Sequence, residues 1–268
     1  MGAGFLPQHI PIVSAKSVRI GIYAGAGLAA FWLLVPTIAQ DPNYYQFADQ
    51  RAWMGIPNYW NVLTNLAFVL AGLFGLYIDK PGGDRQLRWC YRLFFVGVIL
   101  AGFGSGYFHW RPNTYTLIAD RLPMAIAFMA LTAALIGESL NADVGRKLLW
   151  PLQTVGAFSV LWWGYSEHIG QGDLRLYGMV QFVPMVALPL LIWKRGSRLQ
   201  PLRYVVWTMI LYALAKAAEL LDRQIYAAGE LVSGHAIKHL IAAGACVAFA
   251  QGLRFRQPSR DPGKSVEC

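Results

Sequence analysis

Of the 268 residues, 56% are hydrophobic and only 14% charged, and a mean hydropathy of +0.39 is too high for an ordinary soluble domain. The formal net charge is +9. In so apolar a chain that excess belongs to membrane topology and contact with anionic headgroups, with nucleic-acid binding a poor second.

Eight apolar runs, each long enough to cross a hydrocarbon core of about 30 Å, fall near residues 20–39, 60–78, 90–109, 117–138, 148–166, 176–193, 204–221 and 233–253. They leave no stretch for a soluble domain, so the expected fold is an all-α integral membrane bundle. The first run could instead be a signal peptide, since Lys16 and Arg19 precede it and Thr37-Ile38-Ala39 loosely resembles a cleavage site. Its apolar core is longer than a typical signal-peptide core. A polar stretch, DPNYYQFADQRAWMGIPN, leads into the second run, which opens NYWNVLTNLAF.

The third run ends in GFGSGYFHW. Gly102, Gly104 and Gly106 have the short spacing that lets helices approach closely, and no strand-to-helix turn surrounds them, which excludes a phosphate loop. Ser105 and His109 stand among them, and Asp120 follows near the start of the fourth run. His168, in GYSEHIGQGD, reads as a solvated loop residue. Glu219 and Asp222 stand about one turn apart near the end of the seventh run, where carboxylates need partners. They either accept from a ligand histidine and orient it or pair structurally with Lys216 or Arg223. The eighth run, SGHAIKHLIAAGACVAFAQGL, carries His235 and His239 four residues apart, so both imidazoles share a helix face. The pair alone makes a ligand site plausible and no more. Lys238 faces differently and is suited to snorkel or to bind a headgroup. Trp53, Trp60, Trp110, Trp162 and Trp163 read mostly as interfacial belt residues. Cys90, Cys246 and Cys268 have neither the placement for a disulfide nor a C-x-x-C spacing for metal. The stretch from Gln257 to Cys268 reads as a disordered tail.

Alternate connecting segments hold sixteen basic residues on one side, among them Lys80, Arg85, Arg146, Arg195 and Arg254, and five on the other: Arg51, Arg111, Arg121, Arg175 and Arg223. By the positive-inside rule both termini are expected in the cytoplasm. The third run then points outward, and the fourth and eighth begin outside. Ser105, His109, Asp120, His235 and His239 therefore fall in one layer of the outer half, although more than a hundred residues separate them.

Three neutral imidazoles suit zinc and leave a fourth position for water, as in a catalytic site. Water bound to the metal ionises near neutral pH. Asp120 could take the proton, and Ser105 could hydrogen-bond the oxyanion of a tetrahedral intermediate. Ser105 as nucleophile is disfavoured, because no histidine remains to act as its base.

Gly104-Ser105, Phe108-His109, the ADRLP stretch from Asp120 to Pro123, the terminal HAIKH, and Tyr59-Trp60-Asn61 with Asn65 together resemble the alkaline ceramidase family. Its wider superfamily of membrane hydrolases includes adiponectin-receptor-like proteins. The resemblance runs from about Asn58 to Gly252 and rests on the order and helix assignment of short motifs. It implies a zinc site built from Ser105, Asp120, His109, His235 and His239. It also implies a seven-helix hydrolase core (58–254), preceded by an added transmembrane helix and outer loop (1–57) and followed by a cytoplasmic tail (255–268). One departure puts calcium (Ca2+) in doubt: the segment before Tyr59 offers only Asp41, Asn43, Asp49 and Asn58 as obvious oxygen ligands.

The resulting expectation is a zinc-dependent (Zn2+) intramembrane amidase that cleaves the N-acyl bond of a ceramide or related sphingolipid, with membrane lipid and water as its partners. The alternatives are an ester hydrolase of phospholipid or lipid anchor on the same site, and a receptor or channel with structural zinc. A fourth protein ligand on the metal would favour the last of these.

Overall fold

The computed structural model describes residues 31–78, 87–195 and 202–255. Most of the first expected run, the basic residues Lys16, Arg19, Lys80 and Arg85, and the tail lie outside them. The chain divides into two compact units, Met1–Ile38 and Ala39–Cys268. Of the first, residues 31–34 form a helical turn with Leu33 and Leu34 exposed.

The second unit opens with a 3-10 helix, Pro42–Tyr45, capped by the Asp41 side chain. Nine α-helices follow among the described residues: α1 Tyr59–Leu63, α2 Leu66–Ile78, α3 Arg88–Trp110, α4 Thr114–Ser139, α5 Ala142–His168, α6 Arg175–Arg195, α7 Leu202–Leu220, α8 Asp222–Ala227 and α9 Gly234–Arg254. Each hydropathy-expected run from 60 to 253 is helical, with α1 and α2 forming one span broken at Thr64 and Asn65. Four helical stretches are long and apolar enough to cross a membrane: Tyr59–Ile78, Arg88–Trp110, Thr114–Ser139 and Gly234–Arg254. The helix α7 carries three charges, Arg203, Lys216 and Glu219, and the middle of α5 is uncharged but tempered by Pro151, Gln153, Thr154 and Ser159.

Several helix starts are fixed by side chains that satisfy the otherwise unpaired first-turn N–H groups. Asn113 and Thr116 form a reciprocal capping box on α4, Asn141 caps α5, and Ser233 accepts from Ala236 at the start of α9. Within the bundle α3 packs between α2 and α4, α4 packs on α5 and α6, and α9 lies against α2 and α7. Outward-facing Leu70, Phe103, Trp150, Phe158 and Trp207 are more than half exposed. A helix can present such side chains to lipid without penalty, because its backbone groups are bonded internally.

Close contact of α3 with α4 depends on two residues of opposite character. Pro123, inside α4, has no N–H for the carbonyl of Ala119 one turn earlier. That carbonyl oxygen faces Gly104, where any Cβ would run into it. The pair lets the two backbones meet beside Ser105 and Asp120.

Candidate metal centre

The end of α3 and the starts of α4 and α9 lie at the same end of the bundle, and the polar residues singled out above occupy them. His109 is in the last turn of α3 and Ser105 one turn earlier on the same face. Asp120 is in the second turn of α4, and His235 and His239 are in the first two turns of α9. The structure brings the three histidines together: their ring centroids are 4.8 to 5.0 Å apart, and one ligand atom from each lies within 4.8 Å of the others. All three are buried, at 1%, 6% and 2% exposure for His109, His235 and His239.

Two ring nitrogens in this group have no protein partner, Nδ1 of His109 and Nε2 of His239. Orphaned buried nitrogens are costly unless something takes their lone pair or proton, and three imidazoles within reach of one point fit a metal ion of zinc's ligand preference. The tautomer of His239 follows from its neighbour. Thr64 donates its hydroxyl proton to the Trp60 carbonyl at 2.7 Å, so at the 2.9 Å contact with Nδ1 of His239 it accepts. His239 therefore carries its proton on Nδ1 and turns a free Nε2 lone pair to the group, as an outer-shell partner would arrange. Composition gave no hint of Thr64, which reads as any threonine in an apolar run.

Of the two readings open for Glu219 and Asp222, orienting a ligand histidine or pairing structurally, the contacts are of the structural kind. Asp222 accepts from the backbone N–H of His235 at 2.7 Å and from that of Ala48 at 3.1 Å, tying the 39–58 segment to the start of α9. Glu219 accepts from Lys216 at 2.8 Å and Lys238 at 2.9 Å. Neither bonds a histidine ring. Lys238 also departs from the sequence expectation: instead of snorkelling it turns inward, and its Nζ lies 3.0 Å from Nε2 of His235. A buried carboxylate attracts the nearest cation more strongly than lipid can, and Glu219 is that carboxylate. Gly234 makes this possible, because a Cβ there would meet the Ala218 carbonyl oxygen and push α9 off α7.

Phe47 roofs the histidines, its ring 4.6 Å from that of His109 and 5.3 Å from that of His235. Its segment is pinned by Asn61, which donates to the Asp49 carbonyl, and by Asn58, which donates to the His109 carbonyl. Arg51 holds Asp49 at 2.7 Å and donates to the Leu231 carbonyl. Burial alone would raise the Asp49 carboxyl, but the Arg51 hydrogen bonds and charge outweigh it and hold it below the usual range. Of the residues noted for calcium, Asp41 caps the 3-10 helix and Asp49 binds Arg51 through their carboxylates, and Asn58 braces α3 through its amide nitrogen. His168 is exposed at the end of α5.

Below the histidines a cavity of about 340 Å³ opens between α3, α4, α6, α7 and α9. Its polar end holds Ser105, Asp120, Arg121, Lys238 and His239, with the Ser105 hydroxyl beside the Asp120 carboxylate. Lys216, Glu219, Gln181 and Thr208 also line the cavity, and most of the remaining wall is apolar, with residues such as Phe94, Val98, Phe128, Met185 and Phe249. On one flank α6 packs chiefly on α4 and α5, and α7 on α9. A site of this shape suits a molecule with a small polar centre and a long apolar body. A family model described as Ceramidase matches residues 53–258, more than half of the chain and all of the residues around the histidine group from Asn58 onward. No curated protein matches the chain.

Proposed function

Because the chain belongs to the ceramidase family, we propose that it is a zinc-dependent hydrolase of the N-acyl bond of ceramide or a closely related sphingolipid, releasing fatty acid and sphingoid base. The observation that carries the reading is the three-histidine group, one of whose members, His239, lines a largely apolar cavity together with Ser105 and Asp120. His109, His235 and His239 would hold the ion. Zinc, when bound, supplies Lewis acidity and makes water acidic near neutral pH.

The chain's own residues divide the remaining work. Asp120, buried at 7% exposure, takes the proton of the attacking water and returns it to the departing amine. The Ser105 hydroxyl donates to the amide oxygen as negative charge develops on it. Phe47 excludes bulk water from the outer side. An acyl or sphingoid chain lies along Phe94, Val98, Phe128 and Phe249, reaching the cavity from the bilayer on the flank between α6 and α7.

In this reading residues 58–254 are the hydrolase core and cross the membrane seven times, residues 1–57 add one span and an outer loop, and residues 255–268 are a cytoplasmic tail. Both termini are cytoplasmic and the site faces the outer half. The basic asymmetry of the connecting segments supports that orientation.

The test is turnover by the purified protein, with mass spectrometry of the products. Ceramide should yield free fatty acid and sphingoid base, and removal of zinc should abolish the reaction. Asp120→Asn should lose most activity while zinc stays bound, and Ser105→Ala should lose about a hundredfold to a thousandfold. Cleavage of a matched ester lipid without amide cleavage would reassign the substrate. Full zinc content in His109→Ala, His235→Ala and His239→Ala would remove the site.

A further inference from the structure

We propose that Arg121 is the headgroup-recognition residue of the cavity, donating a hydrogen bond from its free terminal nitrogen to an acceptor oxygen on the polar head of the bound lipid. The identity of the lipid rests on the hydrolase reading above; the vacancy at Arg121 does not.

Arg121 follows Asp120 on α4, lines the cavity and is only 7% exposed. Its guanidinium lies 4.0 Å from the Trp163 ring centroid, 5.0 Å from that of Tyr177 and 5.6 Å from that of Tyr44. One terminal nitrogen, Nη2, donates to Oε1 of Gln40 at 2.5 Å. Gln40 is itself held, its backbone N–H donating at 2.8 Å to Glu167, which also accepts from the Trp163 indole at 3.0 Å. The guanidinium is therefore locked in place before any ligand arrives.

The other terminal nitrogen, Nη1, is buried and has no partner. Among the described residues Glu219 is matched by two lysines, Asp49 by Arg51 and Asp173 by Arg175; Arg88 also leaves a buried nitrogen unpartnered, but it does not line the cavity. Arg121 is held instead by aromatic faces and a neutral amide. A buried charge with a vacant donor is expensive, and an acceptor oxygen on an occupant of the cavity relieves it. The sign of the cavity points the same way, since Arg121, Lys216 and Lys238 outnumber Asp120 and Glu219 on its lining. Such a wall favours a head that brings lone pairs and repels a cationic one. The oxygen could belong to the hydroxyl of a neutral sphingolipid or to the phosphate of a phosphorylated one.

The experiment compares kcat/KM of the purified protein for three lipids with one acyl chain: ceramide, ceramide 1-phosphate, and 1-deoxyceramide, which lacks the head oxygen. At least one oxygen-bearing lipid should be preferred about tenfold to a hundredfold over 1-deoxyceramide, as for a hydrogen bond from a charged donor, with the difference in KM. Whether hydroxyl or phosphate gains more identifies the source. In Arg121→Met that ratio should collapse to about one, and Gln40→Leu, which frees the guanidinium from its anchor, should reduce it. The ratio is internal to each variant, so partial loss of folded protein cancels. No oxygen preference in the wild type, or a wild-type ratio in Arg121→Met and Gln40→Leu, would overturn the proposal. If no lipid is hydrolysed, competition binding of the same three lipids applies the same criterion, and an oxygen preference that depends on Arg121 would then count against the hydrolase reading alone.

Discussion

Replacing Thr64 by valine removes one oxygen from a side chain and leaves its shape nearly unchanged. In the wild-type protein that oxygen lies 2.9 Å from Nδ1 of His239 and sends its own proton to the Trp60 carbonyl. The Trp60 carbonyl keeps the backbone N–H of Thr64 at 3.1 Å in either case, so the loss falls on the histidine. His239 is 2% exposed, and its N–H would be left without an acceptor, a penalty of about 1–3 kcal/mol. The ring can escape only by moving the proton to Nε2, which removes the lone pair a metal needs. Either route weakens metal binding. At ~1.4 kcal/mol per factor of ten, zinc affinity should fall about tenfold to a hundredfold, the range found when outer partners of metal-bound histidines are removed. Thr64→Ser keeps the oxygen and should stay near wild type. The measurement is competition for zinc against a chromophoric chelator in detergent, with circular dichroism to show intact helices. A Thr64→Val protein that holds zinc as tightly as wild type would refute both the tautomer and the role given to Thr64.

Gly104→Val should lower the melting temperature in detergent, at a cost of about 1–3 kcal/mol for overpacking, because its Cβ meets the Ala119 carbonyl oxygen and forces α3 from α4; an unchanged melt would contradict that contact. Between α5 and α6, two side-chain hydrogen bonds from Arg175 hold the 4%-exposed Asp173 carboxyl below the usual range. The folded pKa is therefore below the unfolded value of about 3.9, so the stabilisation is present above that pH and is lost as pH falls through the folded pKa. Asp173→Asn should accordingly lower stability at neutral pH and flatten the acid limb of the melting profile, and a parallel acid limb would argue against it. Ceramide turnover should survive a calcium-selective chelator, since the carboxylates of Asp41 and Asp49 already accept from the Asn43 backbone N–H and from Arg51; strong calcium dependence would show that these oxygens regroup around an ion. Cysteines placed at residues 81 and 198 should label from the cytoplasm and one at residue 54 from outside, with the reverse pattern inverting the topology.

Helix positions from 59 to 254 were legible in the sequence because lipid imposes a uniform demand: a stretch of some twenty apolar residues must bond its own backbone, whatever its neighbours are. The spacing of His235 and His239 was legible for a similar reason, since a shared helix face is a property of four consecutive residues. Even the nearness of His109 to them could be anticipated, from the alternating direction expected of successive apolar runs. The partners of those residues were not legible. Thr64 and His239 are 175 residues apart, and Arg121 and Gln40 are 81 apart. Which face of α1 meets which face of α9 depends on rotations and contacts that hydropathy does not encode. Lys238 was read as turning away because its position on the helix differs from that of the histidines. It turns inward because α7 places Glu219 within 2.9 Å of its ammonium, and a buried opposite charge outweighs the local geometry of one side chain. The sequence by itself determined which residues lie in helices; only the packing of those helices decided what each polar atom touches, because hydrogen bonds and ion pairs act over about 3 Å and that precision comes from tertiary contact.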